Sequence, residues 1–106
     1  MPNDAVAIEV DAVRSTANKR LRISISTPYE KPTGEWACLF RLNGVPEEDE
    51  QREYFGVDAL QALVLNLFYL RFVLARLRKK GFSFHATESG EPINPEMYFD
   101  VLTKPA

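Results

Sequence analysis

Between Asp58 and Gly81 the chain carries one long helix signal, and that signal constrains most of what surrounds it. Leu60, Leu63, Leu67, Leu70, Leu74 and Leu77 recur at alternating spacings of three and four, which sets six leucines along one stripe of a helix. Asp58 is a favoured N-cap, and Gln61, three positions on, completes a capping box. Gly81 stands where a left-handed C′ residue is needed. Before it come Arg76, Arg78, Lys79 and Lys80, cations that suit the negative end of the macrodipole. A leucine stripe of this length must be covered by something apolar, and a sheet is the expected cover.

The rest of the chain reads mainly as strands. Val6, Ile8 and Val10 alternate with Ala7, Glu9 and Asp11, and Leu21, Ile23 and Ile25 alternate with Arg20, Arg22, Ser24 and Ser26. This period of two marks half-buried strands, and the short polar stretch at residues 15–19 makes them a hairpin. Residues 27–35 carry Pro28, Pro32 and Gly34 and read as a loop. A third strand over 36–42 places Trp36, Cys38, Phe40 and Leu42 on one face. Asn43-Gly44 is a turn signal, residues 43–50 read as a hairpin loop, and residues 51–55 form a short fourth strand. After the helix, Phe82 and Phe84 alternate with Ser83 and His85 as a fifth strand. Asn94-Pro95 has the form of an N-cap with proline at the first helical position. It predicts a short terminal helix to about residue 102 that turns Met97, Tyr98, Val101 and Leu102 inward, with a disordered tail as the alternative. The expected fold over residues 1–106 is a single two-layer α+β domain. An antiparallel sheet of four or five strands carries one long helix across it, in the order β-β-β-β-α-β.

Composition narrows the function classes. With 106 residues there is room for one domain and a core that needs no disulfide or structural metal. Cys38 is the single cysteine and His85 the single histidine, so neither an internal disulfide nor a closed zinc site is expected. The segment after Met1 lacks the basic and apolar regions of a signal peptide. The long apolar stretch is interrupted by Gln61, Asn66, Arg71 and Arg76, which favours an amphipathic helix over a membrane span. A formal charge of −2 gives no field to draw nucleic acid or an anionic bilayer. A soluble cytoplasmic protein without cofactor or membrane partner is the expectation.

Each candidate for chemistry meets a plainer reading. Cys38 and His85 would be the one thiol–imidazole dyad available. However, Cys38 shares its strand face with Trp36, Phe40 and Leu42, and His85 points away from Phe82 and Phe84, so packing is the expectation. The acidic run from Glu47 to Glu50 lacks the alternating spacing and turn glycine of a calcium loop and reads as a solvated loop. The basic residues Arg71, Arg76, Arg78, Lys79 and Lys80 could form a phosphate or nucleic-acid patch. In a net acidic chain, complementing the helix dipole explains them better. No glycine spacing matches a phosphate loop.

Two segments resemble a family of small bacterial proteins catalogued as a domain of unknown function. Gly34-Glu35-Trp36-Ala37-Cys38-Leu39-Phe40-Arg41-Leu42-Asn43-Gly44 is similar to its Trp-x-Cys strand signature, with an aromatic, an aliphatic and a glycine following. Phe55-Gly56-Val57-Asp58-Ala59-Leu60-Gln61-Ala62-Leu63 is similar to its Gly-x-Asp helix start with Gln-Ala-Leu. The chain departs from that pattern at Leu39, where proline is common, and at Asn66, Phe68 and Tyr69, where small residues are usual. The resemblance implies the fold and a bacterial origin, with no activity, cofactor or catalytic residue attached.

The far side of the helix is the most informative feature. At 100° per residue, Leu65, Phe68, Tyr69 and Phe72 fall well away from the leucine stripe, where a helix backed by water should be polar. The terminal segment from Met97 to Leu102 folding across them, or a sheet curving round the helix, would account for this. A partner-binding surface, for a homodimer or a heteromer, accounts for it equally. A non-enzymatic interaction or dimerising module is therefore the expected function. The alternative is a small-ligand protein or an unfamiliar enzyme with a pocket between sheet and helix, drawing on Trp36, Cys38, Tyr54 and His85.

Overall fold

The structure, a computed structural model, describes residues 3–99. Its elements are β1 (Asp4–Arg14), β2 (Ala17–Ser26), β3 (Tyr29–Glu30), β4 (Trp36–Asn43), β5 (Glu50–Gly56), α1 (Ala59–Lys79), β6 (Ser83–Ala86) and β7 (Pro92–Ile93), then a 3₁₀ turn at Pro95–Phe99. Every strand pairing is antiparallel. The strands form one seven-stranded sheet, with α1 packed against its β4 and β5 side. The expected α+β architecture is thus what forms, with two additions. The stretch read as a loop at 27–35 contains β3, and a two-residue β7 follows β6. The expected terminal helix is a 3₁₀ turn over Pro95–Phe99, and Val101 and Leu102 lie outside the described residues.

The strand order follows from the shared edges. β5 runs along one edge of β4, pairing Trp36 with Gly56 through Leu42 with Glu50. On the other edge β2 covers Phe40 to Asn43 and β3 covers Trp36 and Ala37. The chain therefore steps at Thr27-Pro28 and resumes along the same strand, because proline has no N–H to continue the ladder. β1 pairs β2 over its whole length, and β6 pairs β1 from Val10 to Val13. Val10, Leu21, Ile23, Ile25, Phe40 and Leu42 are buried in the core beneath Val73, Leu74 and Leu77 of the helix.

Both helix ends are closed as the sequence implied, with one variation. Asp58 accepts a hydrogen bond from the Gln61 N–H at 2.8 Å, while Gln61 Oε1 accepts from Val57 N–H at 2.7 Å, one residue earlier than a capping box uses. At the other end Gly81 has φ +97°. Phe82 N–H donates to the Leu77 carbonyl at 3.1 Å and Gly81 N–H to that of Arg78 at 3.0 Å. This is a Schellman motif, and the buried pair Leu77 and Phe82 supplies its apolar contact.

The azimuth of the helix corrects the leucine-stripe expectation. The face turned to the sheet is Ala62, Asn66, Val73, Leu74 and Leu77. Leu63, Leu67 and Leu70 sit half-buried on its flank, and Leu60 is 69% exposed. The cause is the short connection. Only Val57 and Asp58 separate β5 from α1, and Gly56 lies so close under the first turn that a Cβ there would stand 2.6 Å from Ala62 N. This contact turns Ala62 inward, and every later residue follows at 100° intervals. The cost falls on Asn66, fully buried beside Cys38 with no regular hydrogen bond to either atom of its amide, a desolvation of about 1–3 kcal/mol.

Candidate functional site: the open face of the helix

Rotation of the helix towards Ala62 leaves a different set of side chains on its outer side. Leu60, Val64, Phe68 and Phe72 follow one another at intervals of four and are all exposed, Phe68 by 65% and Phe72 by 59%. Leu65 lies beside this row, and Val57, 81% exposed, extends it past the helix start. No charged residue occurs from Ala59 to Leu70. Single exposed hydrophobic residues need no explanation, but a contiguous apolar face of this extent is more than a helix backed by water requires.

Of the four residues singled out on the far side, three are on this face and one is not. Leu65, Phe68 and Phe72 are exposed, whereas Tyr69 is half-buried and turned to the sheet. Its ring meets Phe40 edge-on at 5.2 Å between centroids and Tyr54 at 5.3 Å, and stacks on Phe72 at 6.0 Å. Its hydroxyl donates to Glu50 Oε1 at 2.5 Å. Burial pushes the Tyr69 hydroxyl above the ordinary phenol range, and Glu50 adds to the shift. Tyr69 is thus the inner edge of the face, holding Phe72 from beneath. Nothing described covers the face: the 3₁₀ turn packs near Leu70 and Leu74 on the opposite flank and leaves Met97 and Tyr98 exposed. Leu60, Val64 and Val57 join the surface without having been expected there. For Leu60 and Val64 the signal in the sequence is the uniform row at intervals of four, masked when the leucines are read inward; Val57 precedes the helix and lies off that spacing.

The acidic loop is solvated at Glu47 and Asp49, as expected, but Glu48 between them docks on the basic end of the helix. Glu48 is buried and pairs with Lys80 and, at 3.9 Å, with Arg76. Arg76 also reaches Glu50 at 3.7 Å, Arg14 holds Glu47 at 3.0 Å, and Arg78 forms a two-pronged contact with Glu96 at 2.6 and 3.0 Å. The run of charge is thereby largely neutralised inside the molecule, which removes most of the field a phosphate patch would need. Beside it Phe72, Ala75, Arg76, Lys79 and Lys80 line an open hollow of about 330 Å³. Among the described residues no three His, Cys, Asp or Glu side chains group as a metal site requires.

Of the residues considered for a ligand pocket, Cys38 and Tyr54 are register partners across β4 and β5 with Trp36 on the same face, but His85 is not brought to them. Cys38 lies wholly buried in β4, its thiol donating to the Ser26 carbonyl at 3.2 Å, and burial pushes its pKa up. His85 lies opposite Asp11 on the other face of the sheet, with Ser83 Oγ 3.0 Å and the Gly90 carbonyl 3.3 Å from its ring nitrogens. Two strands separate β4 from β6, about 14 Å at ordinary strand spacing. By length and composition α1 could cross a bilayer, as many core helices could; here it lies against the sheet.

On the outer sheet face Tyr29 donates its hydroxyl to Glu53, which Lys31 approaches at 3.2 Å. The Tyr29 bond, then Lys31, holds the Glu53 carboxyl below the usual range, while burial and Glu53 raise Tyr29 to about 12. A carboxylate depressed in the folded state stabilises above its unfolded pKa, and that contribution is lost as pH falls through the folded value. Glu53→Gln is therefore expected to melt a few degrees below wild type near neutral pH (about 1 kcal/mol or less). The gap should close below about pH 4, as read by thermal denaturation across pH.

Fold and surface together define a small α+β domain: one antiparallel sheet, one helix packed on it, and an apolar helix face left open. A family model described as a domain of unknown function (DUF6968) matches residues 9–90, most of the chain, and the chain belongs to that family. No curated protein and no solved structure gives a significant match.

Proposed function

We propose that the chain is a non-enzymatic protein-interaction module whose contact surface is the open face of α1, centred on Leu65, Phe68 and Phe72 with Tyr69 at its inner edge. The observation that carries this reading is the contiguous apolar row exposed on an otherwise well-packed helix. Large aromatic anchors at the centre of such a surface supply most of the affinity of a protein contact. The face is also preorganised, since Tyr69 is locked by Phe40, Tyr54 and Glu50 and stacks on Phe72.

The test is Phe68→Asp combined with Phe72→Asp. Both side chains project into solvent, so the doubly substituted chain is expected to keep its circular dichroism and melt within a few degrees of wild type. It should lose both self-association and any partner retained by affinity capture from lysate. A folded double variant that keeps its mass and its captured partners refutes the reading.

A further inference from the structure

We infer that the occupant of this face is a second copy of the chain, its helix crossing antiparallel over a two-fold axis between Val64 and Phe68. The inference rests on the reading of the face as an interaction surface and adds the partner. Leu60, Val64, Phe68 and Phe72 form a single ridge of residues four apart. Two helices that interdigitate such ridges cross at about −50°. A two-fold contact requires both partners to offer the same patch to each other, and two identical ridges satisfy that condition.

Area supports the same occupant. Aromatic side chains carry roughly 150–250 Å² when fully exposed, and valine and leucine lie at or below the lower end of that range. Scaled by their exposed fractions, the ridge with Val57 and Leu65 leaves on the order of 600 Å² open on each copy. A symmetric contact would remove at most about 1,200 Å² in total, the lower edge of specific, stable interfaces.

Side-chain size and charge select the antiparallel arrangement. The two phenylalanines lie at the C-terminal end of the ridge, and the smaller Val57, Leu60 and Val64 at its N-terminal end. Antiparallel docking sets large against small and fills the contact evenly, whereas parallel docking crowds four rings at one end and opens a gap at the other. Arg71, exposed beside the ridge, would face its own copy in a parallel pair. In an antiparallel pair it approaches the partner's helix N-terminus, where Asp58 stands.

Sedimentation velocity on the full chain, from about 1 to about 200 µM, tests the occupant. A species of twice 12.1 kDa is expected, with Phe68→Asp weakening it at least about a hundredfold while remaining folded by circular dichroism. A nitroxide on Lys79→Cys tests the orientation, since Lys79 lies outside the ridge and the native Cys38 is too buried to label. Helix geometry gives an inter-copy distance of about 35–40 Å for the antiparallel pair and about 20 Å for a parallel one. A dimer lost in Phe68→Asp, with the long distance, supports the inference. The short distance overturns the docking mode. Wild type that stays monomeric overturns the second copy as occupant, and the interaction reading then stands or falls on affinity capture alone. A dimer that persists in folded Phe68→Asp overturns the inference by placing the contact elsewhere.

Discussion

Phe40→Ala lowers the melting temperature by about 15–30 °C, the steepest loss expected from a single substitution in this chain. Phe40 is fully buried at the centre of β4, opposite Ile25 of β2 on one side and Arg52 of β5 on the other. Its ring is also the floor on which Tyr69 stands edge-on. Truncation removes the transfer energy of an aromatic side chain and leaves a cavity between two strands and a helix that cannot close over it, about 3–5 kcal/mol together. Against a total stability of about 5–15 kcal/mol, this brings a domain of this size near its threshold. Calorimetry and urea denaturation read the loss directly. Because Tyr69 supports Phe72, the same variant should weaken association even at temperatures where it remains folded.

Gly56→Ala is expected to cost about 2 kcal/mol, roughly 10–15 °C in melting temperature. The reason is steric and does not involve a left-handed backbone. The added Cβ would lie 2.6 Å from Ala62 N, 2.9 Å from Gln61 Cβ and 3.1 Å from the Asp58 carbonyl oxygen. Two of those three neighbours are backbone atoms of the helix start and its cap, so relief requires moving the helix N-terminus. That movement would stretch the bond from Gln61 N–H to Asp58 that closes the first turn. Urea denaturation should show a lower midpoint at unchanged slope. A loss under about 0.5 kcal/mol would mean that the helix start yields freely, and that Gly56 does not set the azimuth.

Local chemistry is legible in the order of residues alone. Alternating residues identify β1, β2, β4 and β6, and Asp58 and Gly81 bound the helix to within a residue, because caps and period-two burial are set by near neighbours in the chain. The two-residue strands are not legible in this way. β3 and β7 have too few residues to show a period and exist only because β4 and β6 present free edges to them. The acidic loop escapes a local reading for a related reason. A charge run in isolation belongs in water, and nothing local indicates that Glu48 will meet Arg76 and Lys80 some thirty residues later.

The open face shows the same division most clearly. An amphipathic pattern states that a helix has an apolar side, and this helix has two. By itself the sequence determined the element, its ends, the sheet it must lie on, and that Leu65, Phe68 and Phe72 stand away from the leucines. Only the tertiary structure decided which side meets the sheet. Gly56 and Ala62 touch across a two-residue link, Tyr69 drops onto Phe40, and Leu60 and Val64 are turned out to join Phe68 and Phe72. Periodicity measures angles along a helix relative to one another. The absolute rotation comes from a single close contact with another element, and no pattern within the helix contains it.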